Sequence, residues 1–308
     1  MKPLISIGLG TRDRPKMLEQ VLESLTVLNL PEAMDVELIV CDNGSSSDTI
    51  TLVEKIEKQL SFKATLLKEE QQGITYMRNR ILRAALDNGA AFLAFIDDDE
   101  VVNENWLKKL IEAKIQFAAD VVQGHVEQHF PEVPHLDLLK KFFPGSFETN
   151  TGDQLKDAYT NNVLFDLTLV RQHGLKFNER FNLTGGSDSF FFSQLQEKGA
   201  RIVFTREAIV TETIPVSRAN LDWVRFRFYR NGYTKYLMDV VRLGKIRAFG
   251  KGLKTISKTA GNCMVRNKTR MQPSVEDLLL QKKCLRTKGI FHAMIGKSFA
   301  EYDVIHGN

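Results

Sequence analysis

Cysteine is scarce in this chain: its 308 residues include three, Cys41, Cys263 and Cys284, odd in number and far apart. That spacing supports neither a disulfide framework nor a zinc site, and it fits a reducing compartment such as the cytoplasm. No stretch approaches the roughly 18 uncharged apolar residues of a membrane-spanning helix. The opening Met1-Lys2-Pro3-Leu4-Ile5-Ser6-Ile7 has no charged leader, long apolar segment or small-residue cleavage site, so no signal peptide is expected. Internal repeats and low-complexity tracts are absent beyond an alternation of strand-like and helix-like segments. One further absence is local: residues 242–270 carry nine Lys and Arg and no Asp or Glu.

With 43% hydrophobic and 26% charged residues, the chain is a globular protein with room for one large core plus an appendage, or two modest domains. Its net charge of +4 conceals an asymmetry. Residues 218–297 hold 19 Lys and Arg against 4 Asp and Glu, which leaves 23 basic and 34 acidic residues elsewhere out of totals of 42 and 38. A basic tail on an acidic body suits an anionic surface, either membrane lipid or nucleic acid.

Strand and helix patterns alternate through the first half. Leu4 to Leu9, Val36 to Cys41, Phe62 to Leu67 and Ala91 to Ile96 read as short buried strands. Between them lie helical stripes: Met17, Leu18, Val21, Leu22, Leu25 and Leu28 after Pro15; Ile50, Val53 and Ile56 after a cap at Ser47 or Asp48; and Tyr76 to Leu86, stopped by Asn88-Gly89. Beyond these, Trp106 to Ala118 reads as a helix, Ala119 to Gln128 and Asn161 to Phe165 as strands, and 130–153 as irregular chain. A turn at Leu183 to Asp188 enters a helix running through Gln196, and Arg201 to Phe204 is a further strand. Such alternation predicts an α/β fold whose mostly parallel sheet is flanked by helices, with ligands bound beyond the carboxyl ends of the strands.

The strand Phe92 to Ile96 runs directly into Asp97-Asp98-Asp99-Glu100. Adjacent carboxylates repel strongly at low dielectric, and Mg²⁺ or Mn²⁺ relieves that repulsion while leaving positions open for a diphosphate. A solvated acidic loop has the same composition. What favours a site is convergence, because Thr11-Arg12, Asp42-Asn43 and Asp97 to Asp99 all fall at strand ends that such a sheet brings to one cleft.

The order of these elements, with Thr11-Arg12-Asp13-Arg14-Pro15, Cys41-Asp42-Asn43-Gly44-Ser45, Gly73…Met77-Arg78-Asn79, Phe95-Ile96-Asp97-Asp98-Asp99-Glu100 and Thr184-Gly185-Gly186-Ser187-Asp188, resembles the GT-A fold of glycosyltransferase family 2. The resemblance covers about the first 230 residues. Within the family, FIDDDE, Asn161-Asn162 and the ending Pro215…Arg218…Trp223…Arg225…Arg227…Arg230-Asn231-Gly232 are most similar to bacterial exopolysaccharide transferases of the succinoglycan type. The resemblance implies a catalytic domain at 1–217, a basic, mainly helical region at 218–308, and a nucleotide-sugar donor, with UDP-sugars favoured.

Thr11, Arg14, Asp42 and Asn43 would then border the nucleoside, and Arg78 the ribose or diphosphate. Family pattern sets the cation on Asp99 and lets Asp97 hold the ribose or the metal's water, with Asp98 beside them and Glu212 as a further ligand or diphosphate contact. Arg218 would clamp a diphosphate. Asp188 is the candidate base, since inverting transfer needs a carboxylate in reach of the acceptor hydroxyl. Here the chain departs from the family, which is acidic before the base and two places after it, where Ser187 and Phe190 stand.

The implied acceptor is a saccharide hydroxyl, on a polyprenyl-diphosphate-linked chain, met at the inner face of the cytoplasmic membrane. Leu243, Ile246, Phe249, Leu253 and Ile256 recur at three- and four-residue steps within the basic tail, so a helix there would carry one apolar and one cationic face. Packing on the sheet would use the same pattern. Two other readings share parts of the sequence: a nucleotide-sugar-binding protein without transfer activity, and a basic adaptor for membrane or nucleic acid. No nucleic-acid recognition motif accompanies the aromatic and basic residues of 218–230, so no nucleic-acid partner is expected.

Overall fold

The computed structural model describes residues 2–44, 48–143, 149–264 and 274–297, the side chains of 260–264 excepted. Eight strands form one sheet in the order β3-β2-β1-β4-β7-β6-β8-β5. They are β1 (Leu4–Thr11), β2 (Asp35–Asp42), β3 (Lys63–Lys68), β4 (Phe92–Asp97), β5 (Glu100–Val102), β6 (Val121–His129), β7 (Asn162–Asp166) and β8 (Ile202–Thr213). The sheet is mixed, with parallel pairings in the majority. Among the described residues, four strand pairings are parallel and three antiparallel, because β7 runs against both β4 and β6, and β5 against β8. The expected α/β class holds.

Helices cover both faces. On one side, α1 (Pro15–Leu25), α2 (Asp48–Glu57) and α4 (Trp106–Gln116) press Leu18, Leu22, Val53, Trp106 and Leu110 onto Ile5, Ile7, Leu38, Ala94 and Ile96. On the other, α3 (Ile74–Asp87), α6 (Thr168–His173) and α7 (Ser187–Glu197) bury Ile81, Leu82, Val170, Phe191 and Leu195 against Ile39, Leu93, Phe95 and Phe165. Residues of β4 alternate between these two cores, which is why its apolar run shows no polar face. Cys41 is a free, buried thiol of the second core, pushed up to about 12 mainly by desolvation, and so chemically quiet. Cys284, by contrast, is disulfide-bonded, which the odd cysteine count did not lead one to expect.

Three expectations change. The stretch 130–153 contains the helix α5 (Leu136–Phe142), whose Leu139, with the Phe143 that follows it, buries against Ile214, Val224, Phe228 and Leu278. The strand expected at Arg201 to Phe204 continues to Thr213. In the basic tail, Leu243 falls outside the helix expected to carry it: α8 (Leu221–Leu243) ends there, Gly244 has a φ of 78° outside the right-handed helical region, and α9 (Lys245–Met264) holds Ile246, Phe249, Leu253 and Ile256. Arg266, Lys268 and Arg270 of that tail, like Ser45, Ser47, Pro144 and Gly145, lie outside the described residues. A last helix, α10 (Val275–Met294), crosses α8 closely. Added Cβ atoms at Gly232 and Gly289 would fall 1.9 Å from the Arg286 carbonyl oxygen and 2.1 Å from that of Tyr229, so glycine permits the backbones to touch.

Asn162, one of the pair singled out in the sequence, is an interior strut. Its Oδ1 accepts from Trp106 Nε1 at 2.8 Å, and its Nδ2 donates to the carbonyls of His125 and Ala208, both at 2.9 Å. These bonds hold the irregularity in β6 between Gln123 and His125, where the register against β8 shifts. Replacing Asn162 with Ala should strand three buried polar groups and lower unfolding stability by about 2–4 kcal/mol, measured by urea denaturation.

Candidate active site

Register sets the site. Thr11 pairs with Asp42 across β1 and β2, and Gly10 with Asp97 across β1 and β4, so three strand ends finish at one edge. The sheet branches here, with β2 on one side of β1 and β4 on the other, which is the position where open α/β sheets bind ligands. A second pairing adds what sequence reading had no strand for: β5 lies antiparallel to β8 and sets Glu100 opposite Glu212. Glu212, distant in sequence, thereby joins the acidic run.

Five carboxylates and three arginines meet at this edge. Asp98 is fully engaged: Thr11 Oγ1 donates to its Oδ2 at 2.8 Å and Arg14 Nη1 to its Oδ1 at 2.9 Å. Arg14 also lies 3.7 Å from Asp99. Arg218, from the turn before α8, donates to Asp99 Oδ2 at 3.1 Å and to Glu212 Oε1 at 3.3 Å, while Gln128 Nε2 holds the other Glu212 oxygen at 3.1 Å. Glu100 is 2% exposed and accepts the Asp97 backbone N–H.

Asp97 faces a different group of residues. Arg78 Nη2 is 4.0 Å from its carboxylate, and Arg78 Nη1 donates to Ser187 Oγ at 2.8 Å. Ser187 and Asp188 open α7, behind Gly186 at a φ of 84°. That start is fixed from two sides. Asn182 Oδ1 accepts from the backbone and hydroxyl of Thr75 at the beginning of α3, and Thr234 of α8 donates to the Thr184 carbonyl. Asp188 itself is half-buried, and its carboxylate accepts the Ser189 N–H at 2.8 Å. Phe190 packs on Phe181 with ring centroids 5.0 Å apart, so the place that is acidic in the family pattern is part of the core here.

Asp42 and Asn43 shape the neighbouring turn. Asp42 is buried, accepts the Gly44 N–H at 2.8 Å and pairs with Lys68 at 3.4 Å. The Asn43 amide spends both donors on the Glu69 and Gln71 carbonyls and its oxygen on the Gly73 N–H, which orders the loop before α3.

Crowding shifts the acids. Asp97 is pushed up to about 7, by desolvation first and then by Asp99, Asp98 and Asp188, with Arg78 opposing. Yet 43% of its side chain meets solvent, so screening weakens the effect. Asp98 and Glu212 also titrate above the usual range, and Glu100 well above it, in each case chiefly from burial. The charge is that of a cation site, but the arrangement differs from a metal cage. Among the described residues no three His, Cys, Asp or Glu stand together in a way that could hold a metal ion, and Arg218 bridges the Asp99 and Glu212 that were expected to be ligands.

Residues 6–182, more than half of the chain, match the family model described as "Glycosyl transferase family 2". The chain belongs to glycosyl transferase family 2. This glycosyltransferase is 32% identical over 231 residues to succinoglycan biosynthesis protein ExoM of Rhizobium meliloti, covering 75% of the chain and 73% of the relative. It is 26% identical over 211 residues to glycosyltransferase AglE of Haloferax volcanii, covering 67% and 66%. In fold it is similar to the mannosyltransferase PcManGT of Pyrobaculum calidifontis, solved in complex with GDP-Man and Mn²⁺, at a TM-score of 0.59 with 14% identity over 97% of this chain and 89% of that one. It is also similar to S. aureus TarS 1–349, solved with UDP, at a TM-score of 0.52 with 16% identity over all of this chain and 95% of that one. Of a longer TarS chain it spans 57%.

Each of these acids holds its proton more tightly when folded than when unfolded, so stability declines as pH rises from the unfolded carboxylate range toward neutrality. The metal-free glycosyltransferase should therefore melt at a lower temperature at about pH 8 than at about pH 5.5, and Asp97→Asn should flatten that dependence. Scanning calorimetry in chelator measures both.

Proposed function

We propose that this glycosyltransferase moves one sugar, with inversion and with help from Mn²⁺ or Mg²⁺, from a UDP-sugar to a hydroxyl of a lipid-linked saccharide in exopolysaccharide synthesis. The observation that carries the reading is electrostatic. Arg78 links the two elements: its Nη1 donates to Ser187, the neighbour of Asp188 at the start of α7, and its Nη2 lies 4.0 Å from Asp97. That link supports a reading in which the carboxylate opening α7 and the strand-end aspartate serve one site, as a displacement between donor and acceptor requires.

In this reading the acceptor hydroxyl gives its proton to Asp188 while its oxygen attacks the anomeric carbon, and the bond from that carbon to the diphosphate breaks. The nucleoside meets Thr11, Arg14 and Asp42, in a turn ordered by Asn43. Arg78 and Arg218 meet the diphosphate. Asp98 works through its bonds to Thr11 and Arg14 rather than by contact. Asp99, with Asp97 and Glu212, would hold the cation once these carboxylates draw together around it, and the cation would supply neutralisation of charge on the departing diphosphate. Domain 1–217 supplies the acids and the base, and the region 218–308 contributes Arg218. The relatives support the choice of donor and pathway: ExoM is named for succinoglycan biosynthesis, and TarS has been solved with UDP and UDP-GlcNAc.

Among the described residues, no helix is long and apolar enough to cross a membrane. α9 supports a peripheral contact on the cytoplasmic face. Ala248 and Gly252 turn inward, toward Tyr233, Ile290 and Met294, while Ile246, Phe249 and Leu253 are 89%, 46% and 50% exposed among Lys245, Arg247, Lys251 and Lys254. An apolar row flanked by cations suits an anionic bilayer.

Thermal shift with UDP-, GDP-, CMP- and dTDP-sugars, with and without Mn²⁺, tests the donor: a rise with UDP-sugar that needs Mn²⁺ is expected, and none with any nucleotide sugar would defeat the reading. Asp188→Asn should keep donor affinity and lose transfer by about 10²–10⁴-fold in a radiolabel assay, and an active variant would move the base role elsewhere. Replacing Ile246, Phe249 and Leu253 together with Ser should abolish sedimentation with phosphatidylglycerol vesicles while leaving the melting temperature intact. Undiminished sedimentation would remove α9 as the membrane contact.

A further inference from the structure

We propose that Arg218 makes metal binding depend on the donor, by occupying the metal's carboxylates until a diphosphate draws it away. This rests on the metal-assisted reading above and adds an order and a cause to it.

The geometry is that of a bridging cation. One guanidinium nitrogen lies 3.1 Å from Asp99 Oδ2 and the other 3.3 Å from Glu212 Oε1, with the three side chains only 16%, 12% and 14% exposed. Neither Arg14 nor Arg78 does this. Arg14 is committed to Asp98 at 2.9 Å and reaches Asp99 only at 3.7 Å, and Arg78 is directed to Ser187 and Asp97. Arg218 therefore supplies positive charge to Asp99 and Glu212 at once, at contact distance from both.

A divalent ion entering alone would have to evict that guanidinium, or share two carboxylates with it at contact distance, and both cost free energy. A nucleoside diphosphate changes the balance. Its oxygens offer the fork of Arg218 a bidentate partner as good as the one it leaves, so the arginine can move from protein to ligand without going unpaired. The freed Asp99 and Glu212, with the diphosphate's own charge beside them, then present more negative charge than Arg14 and Arg78 can neutralise. Linkage makes the effect mutual: whatever UDP adds to metal affinity, the metal adds to UDP affinity.

The test is Mn²⁺ binding followed by electron paramagnetic resonance on the full chain, with no acceptor and no turnover, in the absence and presence of saturating UDP, with GDP as a second nucleotide. For the unmodified protein, UDP should tighten Mn²⁺ binding by about tenfold or more. Arg218→Ala should bind Mn²⁺ alone about tenfold more tightly than the unmodified protein, and UDP should add much less. Arg218→Lys keeps a charge without the fork and should fall between. Melting temperatures establish that both variants fold. Mn²⁺ affinity of Arg218→Ala that is unchanged or weaker, with full UDP coupling retained, would overturn the proposal and leave the metal-assisted reading intact. If the unmodified protein binds no Mn²⁺ with either nucleotide, that reading fails and takes the proposal with it.

Discussion

Mutual repulsion among Asp97, Asp98, Asp99, Glu100 and Glu212 is the constraint around which this end of the molecule is built. Two strand pairings force these acids together, one ending β4 beside β1 and the other setting β5 against β8. The neutralising arginines come from three separate places: Arg14 from the residue that precedes α1, Arg78 from the first turns of α3, and Arg218 from the turn into α8. Each of those elements is in turn anchored by one of the cores. Neutralisation at the site thus depends on the correct docking of helices from both faces of the sheet, and the site costs stability whenever one of them shifts.

The C-terminal helices are bound to this arrangement rather than appended to it. Ile214 at the end of β8, Leu139 and Phe143 around α5, Val224 and Phe228 of α8 and Leu278 of α10 share one apolar cluster. That cluster fixes the turn carrying Arg218. The glycine contact between α8 and α10 fixes α8 in the same way, and α8 reaches the start of α7 through Thr234. Surface chemistry on the basic helices and charge at the cleft are therefore mechanically linked through a few tight contacts.

Much of this was legible because β1, β2, β3 and β4 are buried, apolar and separated by amphipathic helices, so periodicity locates them within a residue or two. Thr11, Asp42 and Asp97 followed from being last in their strands. Other parts left no local signal. β5 is three residues long and lies inside the acidic run, so nothing in its composition indicates a strand, and without it Glu212 reads as an ordinary exposed glutamate. Asn162 reads as a polar strand residue until the three groups it satisfies, all remote in sequence, are brought beside it. α5 has seven residues in a proline-containing stretch, too few for a helical period to register.

The departure at Ser187 gains a physical meaning from its partner. An acidic residue there would stand against Arg78, whose side chain is 8% exposed, and would form a buried ion pair that satisfies the arginine from within the protein. A serine hydroxyl orients the guanidinium at 2.8 Å without cancelling its charge, while Asp97 at 4.0 Å cancels it only in part. Phe177 supplies the remaining wall, its ring centre 5.8 Å from the guanidinium carbon. A buried cation held in place but left under-neutralised is costly, and an anion beside it would offset that cost, so serine at 187 leaves the charge of Arg78 open to an anionic ligand.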